Sequence, residues 1–192
     1  GKSEAARMFR RLGVRVFDSD ATVHGLLAPG GAAVDTVVAA FPGVAKNGTV
    51  DRGALGSLVF GRPDVLRRLE GTLHPMVRAA RNRFLREAQA RRDRLVVFDV
   101  PLLFETGGER HCDAVIVVTA PLFVQRARVL GRPGMSPEKF AAILDQQVPD
   151  LEKRRRADFI APTGMGKRAA LNAIRRAIRM LYAEQKDDTC PT

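Results

Sequence analysis

Gly1-Lys2-Ser3-Glu4-Ala5-Ala6-Arg7-Met8-Phe9-Arg10-Arg11-Leu12-Gly13-Val14-Arg15-Val16-Phe17-Asp18-Ser19-Asp20 opens this chain of 192 residues, and its reading decides the fold. Gly-Lys-Ser closes the phosphate-binding pattern G-x-x-x-x-G-K-[ST], in which backbone N–H groups at a helix N-terminus cradle phosphate. Three residues occur by chance in many proteins, so the continuation carries the weight. Ala5, Ala6, Phe9 and Leu12 recur at helical spacing and Gly13 supplies a helix exit. Val14, Val16 and Phe17 then read as a short buried strand ending in Asp18-Ser19-Asp20, the strand edge where open α/β sheets place ligands. Cradle, helix, strand and carboxylates follow one another in the order expected of a phosphoryl-transfer site with an acceptor-side base. Lys2 is then the cation for the β- and γ-phosphates, Ser3 the hydroxyl for magnesium, and Asp20 the candidate base. Asp20 reads equally well as the N-cap of a helix over 21–27, and one residue can serve both.

From 26 to 92 the pattern is helical and no strand is expected. Pro29-Gly30-Gly31 breaks the chain, 32–41 resumes a helix with Val34, Val37, Val38 and Phe41 on one face, and 42–49 reads as loop. A short helix follows over 52–60. Pro63 opens a longer one that ends at His74-Pro75, and a second long helix runs from Met76 to about Arg92. The arginines of that helix read as a solvated face. His74 reads as a buried or capping histidine or, beside Arg78, as a contact for an anionic substrate.

Leu95 to Val100 is the clearest buried strand, Ala114 to Val118 the next and Asp158 to Ala161 the last. Continuous apolar runs of this length argue for a parallel sheet covered by helices on both faces. Asp99 reads either as a carboxylate holding magnesium or as an ordinary strand-end acid. Leu122 to Leu130 is helical, Ser136-Pro137-Glu138 starts another helix with Ser as N-cap, and 149–156 ends in Lys153-Arg154-Arg155-Arg156. These short helices read as a flap. Within it Arg128 and Arg132 stand a helical turn apart, placed to meet phosphate oxygens, whereas Lys153 to Arg155 read as solvated surface. Gly164-Met165-Gly166-Lys167 is a turn and helix start, because Arg168 stands where a second cradle needs a hydroxyl. The terminal helix, 169–184, offers Leu171, Ile174, Ile178 and Leu181 as its core face, and the tail from 186 to 192 is polar.

The formal net charge is +11, which invites polyanionic partners. With aromatics at 6% and no Trp, stacking platforms for nucleic acid are poor, so phosphate-rich small molecules are the expected partners and nucleic acid is not. No apolar run approaches the ~20 residues of a membrane helix, and no membrane association is expected. Cys112 and Cys190 are too few for a disulfide framework, and His24, His74 and His111 are too scattered for a zinc site. A reducing cytoplasm is the expected setting, with a monomer or weak oligomer.

With these residues in view, the chain resembles the dephospho-coenzyme A kinases over nearly its whole length. The matching pieces are Gly1-Lys2-Ser3, Val16 to Asp20 with His24, Pro29-Gly30, Val59-Phe60, Leu73-His74-Pro75 with Arg78, and Asp99 to Glu105. Gln125 with Arg128 and Arg132, Gln147, and Ala157-Asp158 complete them. The resemblance implies an α/β fold: a P-loop NTPase-type parallel sheet flanked by helices, with a helical substrate-binding insertion and a small helical lid. The core would take about 1–25, 94–121 and 157–192, the substrate lobe about 26–93, and the lid about 122–156. The implied reaction moves the γ-phosphoryl of ATP, with magnesium, to the ribose 3′-hydroxyl of dephospho-coenzyme A. On this resemblance Asp20 is the base, Lys2, Arg128 and Arg132 are catalytic cations, and Gly1, Lys2, Ser3, Glu4, Arg128 and Arg132 bind ATP. Asp20, His74, Arg78, Leu102, Leu103 and Glu105 face the acceptor and Ser3 holds the metal; Asp99, on which the family pattern does not insist, joins it as a metal carboxylate from its place at the strand end. Glu4 departs from the family's usual second hydroxyl residue, and Pro162-Thr163 from its usual Asp-Asn. Another P-loop small-molecule or nucleotide kinase, or a basic nucleic-acid-binding module, is the competing reading.

Overall fold

The computed structural model describes residues 1–187; Cys190 and most of the polar tail expected over 186–192 lie outside them. The chain divides into two compact units, residues 1–16 with 101–192 and residues 17–100.

In the first unit, α1 (Lys2–Arg11) buries Ala5, Ala6, Met8 and Phe9 on one stripe and ends as expected at Gly13, whose φ is 80°. β5 (Ile116–Thr119) and β6 (Phe159–Pro162) pair in parallel with Ile116 opposite Phe159 and Thr119 opposite Pro162. Asp158 sets that register: its Oδ2 accepts from Val115 N–H at 2.7 Å while its own N–H reaches the Val115 carbonyl at 3.0 Å. Three short helices, α6 (Leu122–Leu130), α7 (Pro137–Asp145) and α8 (Asp150–Arg155), connect the two strands. Ser136 caps α7 as expected, accepting from Lys139 N–H at 3.3 Å. The long α9 (Lys167–Asp187) packs on α1 and β6. Its fully buried line is Ala170, Ile174 and Ala177, whereas Leu171, Ile178 and Leu181 are half-buried flanks of that stripe. The expected core face is thus rotated toward the small residues, because alanine lets a helix approach its neighbours closely.

The second unit is mainly helical. α2 (Ser19–Leu27), α3 (Val34–Ala40) and α4 (Arg52–Val59) pack on α5 (Pro63–Ala90), around a core that includes Leu27, Val37, Phe41, Leu55, Leu69 and Leu73. β4 (Val96–Asp99) pairs with β1 (Arg15–Asp18), whose second half lies in this unit. Three sequence expectations need correction here. The N-cap of α2 is Asp18, whose Oδ1 accepts from Ala21 N–H at 2.9 Å, so Asp20 sits inside the first turn. The stretch expected as loop holds a small hairpin, β2 (Ala45–Lys46) against β3 (Thr49–Val50), turned by Asn47 and Gly48 at φ 50° and 73°. Asn-Gly is the residue pair such a turn demands, and it was the available signal. Finally, α5 is one helix of 28 residues and runs through Pro75. Proline removes one N–H donor to the Gly71 carbonyl, a local loss that the turns on both sides outlast once Leu69, Leu73 and Ala88 are buried.

Candidate active site

The phosphate end is built in the first unit around the head of α1. Gly1 is the N-cap, and its carbonyl accepts from Glu4 and Ala5 N–H at 3.1 and 3.0 Å. A glycine N-cap brings no capping side chain, so the first-turn N–H groups and the positive end of the helix dipole face outward together. The site also needs glycine for space: a Cβ there would stand 2.9 Å from both Thr163 Oγ1 and Val118 Cγ1. Thr163 is held by the strand ends, donating to the Thr119 carbonyl from its N–H at 2.8 Å and from Oγ1 at 3.0 Å.

Arg128 closes on the same point, donating to the Thr163 carbonyl at 2.9 Å and to Thr163 Oγ1 at 3.5 Å. Arg132 lies near enough, with Arg128, for its charge to be felt at the Gly1 backbone nitrogen, so both guanidiniums act at the helix head. Lys2 and Ser3 are exposed in the first turn. Glu4 instead faces along the helix surface, pairing with Arg7 at 2.6 Å and Lys167 at 3.7 Å. Thr163, marked in the sequence only as a departure from the family's usual Asp-Asn, is the hub of this cluster. Its partners Gly1, Thr119 and Arg128 are far apart in the chain, so no local pattern marks it.

Beside this cluster a cavity of about 720 Å³ lies over β5, lined by Thr119, Ala120, Pro121, Val148, Asp150 and Gly164 among others. Thr119 Oγ1 donates to both carboxylate oxygens of Asp150 at 2.8 and 3.0 Å, and Gln125 Nε2 reaches the Ala120 carbonyl at 2.7 Å. The turn 101–107 stands in the same unit. Leu102 is left-handed with φ 56°, unusual for a branched side chain, and remains 46% exposed. Thr106 steadies it through Oγ1 and N–H bonds to the Leu102 carbonyl at 2.9 and 3.1 Å. Leu103 packs toward the cluster of Phe104, Val115 and Val117. Glu105 Oε1 accepts from Val148 N–H at 2.9 Å and from Lys153 Nζ at 2.8 Å. Burial pushes this carboxyl up, but the Lys153 hydrogen bond and backbone N–H groups outweigh it and hold it below the ordinary glutamate range.

The second unit carries the remaining residues. Asp20 is exposed in the first turn of α2. His24, one turn further on, receives a hydrogen bond from Arg52 at 2.7 Å. His74 and Arg78 are exposed and one helical turn apart on α5, so His74 is not a buried histidine. Asp99 is the buried carboxylate at the end of β4, 6% exposed. A cavity of about 380 Å³ opens between α2 and α5, with Thr22, Arg83, Phe84 and Glu87 in its wall.

The profile of the CoaE family, dephospho-CoA kinase, matches residues 1–164. The chain belongs to that family. A dephospho-CoA kinase of Rhodospirillum rubrum is 55% identical over 181 residues, covering 94% of this chain and 86% of the relative. One of Paramagnetospirillum magneticum is 59% identical over 154 residues, covering 80% and 73%. Among solved structures, a Thermus thermophilus protein superposes with a TM-score of 0.77 at 34% identity, covering 94% of this chain and 91% of its own. A Campylobacter jejuni dephospho-CoA kinase gives 0.68 at 24% identity, covering 96% and 92%, and supports the fold alone. Membership makes the chain a kinase with an α/β, P-loop NTPase-type fold. No helix among the described residues is long and apolar enough to cross a membrane.

Proposed function

We propose that the chain phosphorylates the ribose 3′-hydroxyl of dephospho-coenzyme A with ATP, yielding coenzyme A and ADP. The observation that carries the chemistry is the convergence of the α1 head, Gly1, Thr163 and Arg128 on one point. Family membership carries the choice of substrates.

A loose phosphoryl-transfer transition state needs in-line positioning and positive charge on its oxygens more than covalent chemistry. The α1 N–H groups, Lys2, Arg128 and Arg132 supply that charge at the phosphates. Magnesium would supply further positive charge to the phosphates there. Ser3 in the exposed first turn and Asp99 at the end of β4 are oxygen donors of the kind it takes, alongside phosphate and water. Asp20 orients the acceptor hydroxyl and takes its proton. His74 and Arg78, exposed on one face of α5, hold the acceptor's phosphates. Leu102 and Leu103 offer apolar surface to the acceptor, and the exposure of a strained Leu102 supports a contact role. Glu105 belongs to the same turn. We place the enzyme in the cytoplasm as a monomer or weak oligomer, with no nucleic-acid or membrane partner.

A coupled ADP-release assay with dephospho-coenzyme A, nucleosides and sugars as acceptors tests the reading. Turnover should be confined to dephospho-coenzyme A; equal turnover with a nucleoside would overturn the acceptor assignment.

A further inference from the structure

Glu105 lies in the turn whose leucines are proposed to meet the acceptor, yet its own hydrogen bonds run the other way. One oxygen, Oε1, receives the Val148 N–H at 2.9 Å and the Lys153 ammonium at 2.8 Å. Lys153 also reaches Gln147 Oε1 at 3.4 Å. Gln147, Val148 and Lys153 all line the cavity over β5, and Glu105 itself does not. The side chains of the Glu105–Lys153 pair are 13% and 21% exposed, so water competes little for either charge. A single carboxylate oxygen therefore fixes one wall of the cavity from outside it.

What the wall encloses follows from its neighbours. Pro162 and Gly164, on either side of Thr163, also line the cavity, and Thr163 is the residue that Arg128 grips and Gly1 packs against. A ligand whose phosphates sit at the head of α1 has its remaining body beside this cavity. That body is the nucleoside of ATP, a placement that rests on the function proposed above.

We propose that Glu105 is a positioning residue for ATP: through Lys153 and Val148 it holds the 147–153 segment as the wall of the nucleoside cavity. The segment joins α7 to α8 without strand pairing of its own, and its second tie to the sheet is the Thr119–Asp150 hydrogen bond. Without Glu105 the ties left to the wall among the described residues are that hydrogen bond and the packing of Val148 on the cluster of Phe104, Val115 and Val117, so ATP must order more of the segment as it binds and affinity falls.

Calorimetric titration with ATP, steady-state kinetics and thermal melts on Glu105→Ala, Glu105→Gln, Lys153→Met and the double variant Glu105→Gln/Lys153→Met test this. Glu105→Ala should weaken ATP binding about tenfold and raise KM for ATP alike, the size expected when binding must itself order one or two side chains of the wall. The rise in KM for ATP should exceed any change in KM for dephospho-coenzyme A or in kcat at saturating ATP, since neither of these reports an ATP-binding wall. Glu105→Gln should fall between, keeping an acceptor for Val148 N–H, and the double variant should be no worse than the poorer single one. A rise in KM for dephospho-coenzyme A with ATP binding intact would overturn the proposal and make Glu105 an acceptor contact. A lowered melting temperature with ATP binding unchanged would overturn it too, leaving an ordinary structural ion pair. Wild-type ATP binding without transfer to dephospho-coenzyme A would fail only the acceptor assignment, because the titration still reads the wall.

Discussion

At the head of α1 the functional groups are locked by short-range geometry: Gly1 has no room for a Cβ, Thr163 makes two bonds to one carbonyl, and Arg128 makes two to Thr163. In the helical unit the candidate groups, Asp20, His74 and Arg78, stand exposed on helices whose opposite faces build a large apolar cluster. The first arrangement resists change at nearly every atom, as would suit the proposed role of meeting the same triphosphate each time. The second separates duties, with apolar residues holding the helix and polar ones free to be chosen for the acceptor. Rigid backbone chemistry and a decorated helical surface are two solutions to binding phosphate, and the proposed function uses both.

Substitution tests how far this contrast goes. The largest effect is expected on the acceptor side, where Asp20→Asn should lower kcat by roughly 10²–10⁴-fold while ATP affinity holds. A near-normal steady-state rate would remove Asp20 from the chemistry. At the phosphate end, Arg132→Glu should slow single-turnover transfer by about 10²-fold and leave the melting temperature almost unmoved, since Arg132 is exposed. Unchanged transfer with a lower melting point would make Arg132 a surface residue. Ile174→Ala empties a fully buried position and should reduce stability by about 2–5 kcal/mol in denaturant titrations, with KM values unaffected. Ser136→Ala, which removes the α7 cap, should cost about 1 kcal/mol by the same measurement.

The smallest effect concerns Asp51, the α4 N-cap. Its pKa is held down chiefly by the Ala54 N–H bond, with Lys46 helping. A depressed carboxyl pKa stabilises the fold above the unfolded value, and that contribution fades as pH falls through the folded one. Asp51→Asn should therefore flatten the acid limb of the melting-temperature profile; an identical limb would mean the cap contributes nothing through its charge.

The sequence was most readable where one residue type answers to one physical demand. The runs ending at Asp99, Thr119 and Pro162 became strands because continuous apolar residues of that length suit a strand covered on both faces. Ser136-Pro137-Glu138 announced α7 because each occupies the position its chemistry favours. Reading failed where tertiary packing decided. Pro75 looked like a boundary, but burial on both sides carried the helix through it. Ile178 and Leu181 looked more buried than Ala170 and Ala177 because hydrophobicity, not closeness of approach, was being counted. Asn47-Gly48 is legible from sequence alone as a two-residue hairpin turn. In the site, Gly1, Lys2 and Ser3 were marked by a motif, while Thr163 and the Glu105–Lys153 pair depend on contacts across some 40 residues of chain, which periodicity does not encode.

The left-handed Leu102 has a practical corollary for anyone seeking a hardier enzyme. Holding a branched residue in that conformation costs about 1–2 kcal/mol, which glycine would largely relieve. A selection for heat tolerance alone would thus reward Leu102→Gly, and the same selection would strip an exposed apolar finger from the surface proposed to meet the acceptor.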